Sequence, residues 1–223
     1  NRYHRPPEET EEEFTRFLLD ELEQAILAMG PETVCMVHME PVQNAGGAFT
    51  PPEGYWRGVR ELCDRYDILL SADEVITGFG RLGSTFAAHR FGVTPDILTC
   101  AKAINNAAVP MGAVIAKTSV FDAIVDAAPA GQIEFLHGYT YSAHPLACAA
   151  LIATQKLFAE EKLFERANAM APHFEAALHS LKGARHVIDI RNLGLVGGIE
   201  LEPRPGAPGA RGLEAHIKCF EAG

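Results

Sequence analysis

Residues 55–73, YWRGVRELCDRYDILLSAD, set an amphipathic segment directly before a short apolar run that ends on an acid. Trp56, Val59, Leu62 and Cys63 share one face at helical spacing, and ILLSA is short and apolar enough for a buried strand. Upstream, TVCMVHM (33–39) is another apolar run with β-branched residues, stopped by Glu40 and Pro41 and followed by the Gly-rich loop QNAGGAFTPPEG. Strand, helix and strand form a βαβ unit, so the fold class is α/β with a mostly parallel sheet. In such a sheet the ligand crevice lies outside the carboxyl ends of the strands.

Before this unit, Thr10 and Glu13 form a T-x-x-E capping box, and apolar residues from Phe14 to Leu27 recur at helical spacing up to Gly30 and Pro31. After it, the glycine-punctuated loop VITGFGRLGS leads into a short helix-like STFAAHRF. DILTCA is expected as the third strand and MGAVIA as the fourth. The stretch VDAAPAGQIEFLHGYTYSAHP reads as irregular and aromatic-rich, followed by helices over residues 145–163 and about 164–182. VIDIRNLG and LVGGIELE alternate as two strands of a separate antiparallel arrangement. The change of pattern near residue 163 is the expected domain boundary, dividing the chain into 1–163 and 164–223.

The 223 residues carry a formal net charge of −10 and no Lys/Arg-rich run, which argues against nucleic acid or an anionic membrane as partner and for a small molecule. No segment approaches the ~20 apolar residues of a membrane span. The opening NRYHRPPEETEEE lacks the apolar core of a signal peptide, so a soluble, cytoplasmic protein is expected. Five widely spread cysteines without a C-x-x-C pair read as reduced thiols, and nine histidines without zinc-site spacing imply no metal. The chain opens on Asn1 rather than Met and closes on KCFEAG within a helix-like pattern, which suggests a partial chain.

Two ionisable residues stand directly after apolar runs: Asp73 after ILLSA and Lys102 after DILTCA. Taken singly, such an Asp is a helix cap or loop residue and such a Lys a surface residue. Together at one sheet edge they suit another purpose. A lysine taken out of water loses preference for its charged form, and its neutral amine condenses with an aldehyde to a Schiff base. A buried Asp needs a positive partner, which a pyridinium nitrogen supplies, and this Lys and Asp pairing is the protein's share of pyridoxal phosphate chemistry.

The segment D-E-V-x-x-G-F-G-R, followed 29 residues after its Asp by the Lys that ends D-I-L-x-x-A-K, resembles the signature of the class III (ω-amino acid) aminotransferases. MEPVQ, PPEGY, VPMGAV and HGYTYSAHPLACAA extend the resemblance over nearly the whole chain. HGYTYSAHP and HVIDIRNLGLVGG look most like the ω-amino acid (β-alanine):pyruvate transaminases.

The resemblance implies a fold-type I chain that binds pyridoxal 5'-phosphate. Residues 1–163 would be part of the large cofactor-binding domain, and 164–223 the start of the small C-terminal domain. It implies that Lys102 holds the cofactor and shuttles the proton, with Asp73 at the pyridine nitrogen. Val75 would pack under the ring, Ile76 lie near the ring oxygen, and Glu40 support acid and cofactor. Thr140 would reach the cofactor phosphate of a neighbouring subunit in a homodimer. The reaction implied moves an amino group from an ω-amino acid or amine to an α-keto acid such as pyruvate. Ala45 stands where many relatives have Glu, and the phosphate loop, the ring-stacking aromatic and the downstream carboxylate-binding arginine have no match here. The alternatives are an aminomutase or other enzyme of the same fold, or an inactive partial chain with an incomplete cofactor site.

Overall fold

The computed structural model describes residues 5, 6, 8–135 and 137–223. Residues 1–4 and 7 of the acidic opening, and Leu136 of the aromatic stretch, lie outside the described residues.

Helix α1 (Glu11–Met29) starts at the capping box. Thr10 Oγ1 accepts from the Glu13 N–H at 3.2 Å, and Glu13 Oε2 accepts from the Thr10 N–H at 2.9 Å. Strand β1 (Met36–Met39), helix α2 (Tyr55–Arg65) and strand β2 (Leu69–Asp73) form the expected βαβ unit, with β1 and β2 parallel. The four apolar residues anticipated on one face of α2, Trp56, Val59, Leu62 and Cys63, are all buried. Three of them join Ile26, Ile68, Leu70 and Ala72 in the core between helices and sheet. Strand β1 begins later than TVCMVHM suggested, because residues Pro31–Thr33 wind into a 3-10 turn.

After β2 comes α3 (Ala87–Arg90), much shorter than STFAAHRF promised, and then β3 (Ile97–Cys100), parallel to β2. The sheet closes with β4 (Ala113–Ala116) in the order β1-β2-β3-β4, and β4 runs antiparallel to β3. A parallel return needs a crossover, usually helical, whereas only the 3-10 turn Lys102–Asn105 and a bend connect these two strands.

Asp96, just before β3, binds three elements together. Its carboxylate accepts from Arg60 Nη1 of α2 at 2.6 Å, from Lys117 Nζ beyond β4 at 2.7 Å, and from the Leu70 N–H of β2 at 2.8 Å.

Helix α4 (Thr118–Asp126) follows, then an exposed irregular stretch, α5 (Pro145–Glu160) and α6 (Leu163–His179). Strands β5 (Val187–Leu193) and β6 (Val196–Leu201) pair antiparallel as read from the sequence, and α7 (Ala210–Ala222) ends the chain. Gly194 turns this hairpin at φ 56°, and a Cβ there would lie 2.9 Å from Leu82 Cα. Glycine therefore lets the hairpin tip touch the loop after β2, where the Leu195 N–H donates to the Arg81 carbonyl at 3.0 Å. Val42, Ala48, Leu82, Ala87 and Val196 form the apolar cluster under this contact.

Candidate active site

Asp73 ends β2, and its register partner on β3 is Thr99. Lys102 comes three residues after Thr99, immediately beyond the end of β3. Because β2 and β3 run parallel, both residues lie at the same carboxyl edge of the sheet.

The Asp73 side chain is about a third exposed. Oδ1 accepts from the Val75 N–H at 3.0 Å, and Oδ2 lies 3.7 Å from His38 Nε2. One carboxylate oxygen thus fixes the turn while the other faces a groove with room for a cationic donor. His38 stands beside Ser71 in the sheet register, and its Nδ1 lies 2.9 Å from Ser71 Oγ. Sequence reading missed His38, although strand alternation puts it two residues before Glu40 and thus on the same side. Glu40 Oε2 accepts from the Asn44 N–H at 3.2 Å, so this carboxylate also fastens the loop after β1. His38, Glu40 and Asp73 line a cleft of about 880 Å3 together with Phe14, Phe49 and Tyr55. Lys102 is not among the lining residues. The cleft therefore marks the acid side of the site only.

Lys102 has φ 47°, a left-handed conformation that costs a non-glycine residue roughly 1–2 kcal/mol. The surroundings hold it there. The Ala107 N–H donates to the Lys102 carbonyl at 3.0 Å, Asn105 Nδ2 donates to the Val109 carbonyl at 2.7 Å, and Gln155 Nε2 of α5 reaches the Ile104 carbonyl at 2.8 Å. The side chain itself is exposed, contrary to the expectation of a lysine withdrawn from water: the 3-10 turn carries it off the sheet edge, and the described residues do not wall it in.

Val75 and Ile76 are half-buried beside Asp73, whereas Thr140 is exposed in the aromatic stretch. Val75 and Ile76 are thus brought to Asp73 by adjacency, and Glu40 by the neighbouring strand.

Glu74 also escaped sequence reading. It points inward, fully buried, where Asp73 points to the groove. Glu74 Oε2 accepts from Thr77 Oγ1 at 2.5 Å and from the Ala87 N–H at 2.9 Å, while Oε1 accepts from the Ala88 N–H at 2.8 Å. Burial pushes its carboxyl above the usual range, and these donors oppose that rise without cancelling it. The loop from Glu74 to α3 is closed over this one carboxylate.

The residues present fit a ring with a cationic nitrogen and an aldehyde: a carboxylate open on one side and a primary amine at the same edge. Among the described residues no group of three or more His, Cys, Asp or Glu could hold a metal ion, and no helix is long and apolar enough to cross a membrane.

Comparison with known proteins agrees with this chemistry. The family model "Aminotransferase class-III" matches residues 2–217. The chain is 54% identical to an omega-aminotransferase of Caulobacter vibrioides over 92% of its own length and 47% of the relative's. It is 47% identical to a beta-alanine–pyruvate aminotransferase of Pseudomonas aeruginosa over 92% of its length and 46% of the relative's. Among solved structures, the omega transaminase from Pseudomonas jessenii in complex with PMP superposes with a TM-score of 0.83 at 37% identity, covering 90% of this chain and 44% of that one. The chain thus spans about half the length of the relatives it matches.

Proposed function

This chain belongs to the class-III aminotransferases, and from that premise we propose that its residues serve an enzyme moving an amino group from an ω-amino acid or amine to an α-keto acid such as pyruvate, with pyridoxal 5'-phosphate as cofactor. The observation that carries the reading is the placement of Asp73 and Lys102 past adjacent parallel strands at one sheet edge. When bound, the cofactor supplies an electron sink for the substrate carbon that loses its proton. Asp73 offers its groove-facing oxygen to the ring nitrogen and keeps that nitrogen protonated. Lys102 holds the aldehyde carbon and afterwards carries the proton to and from the substrate carbon. Val75 would hold the face of the ring and Ile76 would stand near its oxygen, while Glu40 steadies the acid's surroundings through the loop it fastens.

The exposure of Thr140 and its aromatic neighbours supports its reaching the cofactor phosphate of a second subunit, in a homodimer. We place the boundary between the large cofactor domain and the start of the small domain near residue 163, between α5 and α6, and the protein in the cytoplasm.

The test is to load the full-length protein with pyridoxal phosphate, reduce it with borohydride, and map the modified lysine by mass spectrometry. The expected label is on Lys102; a label on another lysine, or none, sinks the reading. Lys102→Ala is expected to abolish turnover. Asp73→Asn is expected to slow proton abstraction by about 100-fold or more, read as single-turnover rate at saturating donor, since general acid–base and charge effects of this kind are worth about two to four decades.

A further inference from the structure

Arg191, on β5, ties the C-terminal hairpin to the loop after β1. Its side chain is only 7% exposed, with Nη1 2.8 Å from Asp189 Oδ2 and 2.9 Å from Glu200 Oε2. Its Nε donates to the Gly47 carbonyl at 2.6 Å, across 144 residues of sequence. The guanidinium carbon stands 4.8 Å from the centre of the Phe49 ring.

The loop is shaped to receive this group. A Cβ at Gly47 would lie 2.8 Å from Arg191 Nη2, and one at Gly198 of β6 would lie 3.0 Å from the Gly47 carbonyl oxygen. Gly47, at φ 130°, and Gly198 therefore give loop, guanidinium and hairpin the room to meet closely. Within the loop, the Gly47 and Ala48 N–H groups donate to the Asn44 carbonyl, and Gln43 and Phe49 exchange backbone hydrogen bonds, each at 3.0 Å. Glu40, Gln43 and Phe49 of this segment line the cleft that contains Asp73.

Burying a guanidinium is costly unless it is paired and fully hydrogen-bonded, and two carboxylates supply the pairing here. Those carboxylates both belong to the hairpin. The Gly47 bond and the Phe49 stack are the part of the arrangement that faces outward, and only a planar fork meets these partners together; a lysine has one point charge.

We propose that Arg191 is a positioning residue that fixes the loop of residues 43–49, and with it a wall of the cleft that contains Asp73. The hairpin thereby sets donor affinity without touching the reacting atoms. This rests on the transaminase reading above.

The test uses the full-length holoenzyme with Arg191→Lys and Phe49→Leu, the second variant keeping the Gly47 bond while removing the stacked ring. Steady-state kinetics with β-alanine and pyruvate are measured beside amide hydrogen exchange. Arg191→Lys is expected to raise the donor KM about five- to tenfold with kcat within about twofold of the parent, the signature of lost binding rather than lost chemistry. Exchange at the amides of residues 47–49 is expected to accelerate while β2 amides keep the parent's rate. Phe49→Leu is expected to raise the same KM by a smaller factor. An active parent whose Arg191→Lys variant keeps its KM, or whose amides accelerate everywhere alike, overturns the proposal alone. A loaded parent that does not transaminate overturns the reading on which it rests, while unchanged exchange at residues 47–49 overturns the clamp whatever the activity.

Discussion

At the scale of single residues, Asp73 and Glu74 show how adjacent acids take opposite work. Alternation along a strand sends one side chain to the groove and the next inward. Glu74 then satisfies three donors at once. A protonated Glu74 keeps all three contacts with the Thr77 one reversed, donating to Thr77 Oγ1 while its oxygens accept from the Ala87 and Ala88 N–H groups. An amide does not, because its NH2 faces the N–H of Ala87 or Ala88. Glu74→Gln is therefore expected to cost about 1–3 kcal/mol, the price of an unmet buried donor. Since burial raises the folded carboxyl above its unfolded value, the native state holds a proton the unfolded chain has lost between those two values. Glu74's contribution is fully present below the unfolded value and declines as pH rises through the folded one. Urea melts across pH are expected to show the gap between parent and Glu74→Gln narrowing as pH rises. A constant gap would mean that Glu74 titrates alike in both states.

Among elements, the sheet depends on Asp96, whose carboxylate gathers α2, β2 and the segment after β4. Burial alone would raise this carboxyl. The bonds from Lys117, the Leu70 N–H and Arg60 outweigh it, and the group is held below the ordinary range. A lowered folded value means that the stabilisation is present above the unfolded value, about pH 4, and is lost as pH falls through the folded one. Asp96→Asn is expected to destabilise the fold by about 2–3 kcal/mol at neutral pH, and by progressively less in acid, as followed by denaturant unfolding. The same elements separate what the sequence displays from what it hides. Helix α2 and the β5–β6 hairpin were legible because periods of about 3.6 and 2 are written in their apolar residues. Helix α4 was not anticipated: Lys117 at its N-cap makes no side-chain cap, and no residue of the helix is buried. The direction of β4 was hidden too, because it is decided by the connection and not by the strand. For the candidate site, the placement of Asp73 and Lys102 at one sheet edge was legible from strand ends, while the exposure of Lys102 and the reach of Arg191 depend on contacts far apart in sequence.

For the whole molecule, the decisive feature is apolar surface that the chain does not cover itself. Val114 and Ile115 of β4 are exposed, as are Phe121 of α4, Tyr139 and Tyr141 of the irregular stretch, and Ile152 of α5. Strand β4 is also an edge of the four-stranded sheet among the described residues, as is β1. An edge with unpaired backbone groups and exposed apolar side chains is a template for association. The chain spans about half the length of its relatives, and among the described residues nothing covers this face. Residues 1–223 expressed alone are therefore expected to self-associate, with the mass from light scattering rising over about micromolar to tens of micromolar protein, the range in which exposed edges and apolar faces draw chains together. Val114→Lys puts a charge on the β4 edge, the device by which natural edge strands avoid pairing, and is expected to lower that mass without altering the far-ultraviolet circular dichroism. A chain that stays monomeric throughout the range would show that these faces are not sticky, and that the hairpin, helices and sheet described here suffice for a self-contained unit.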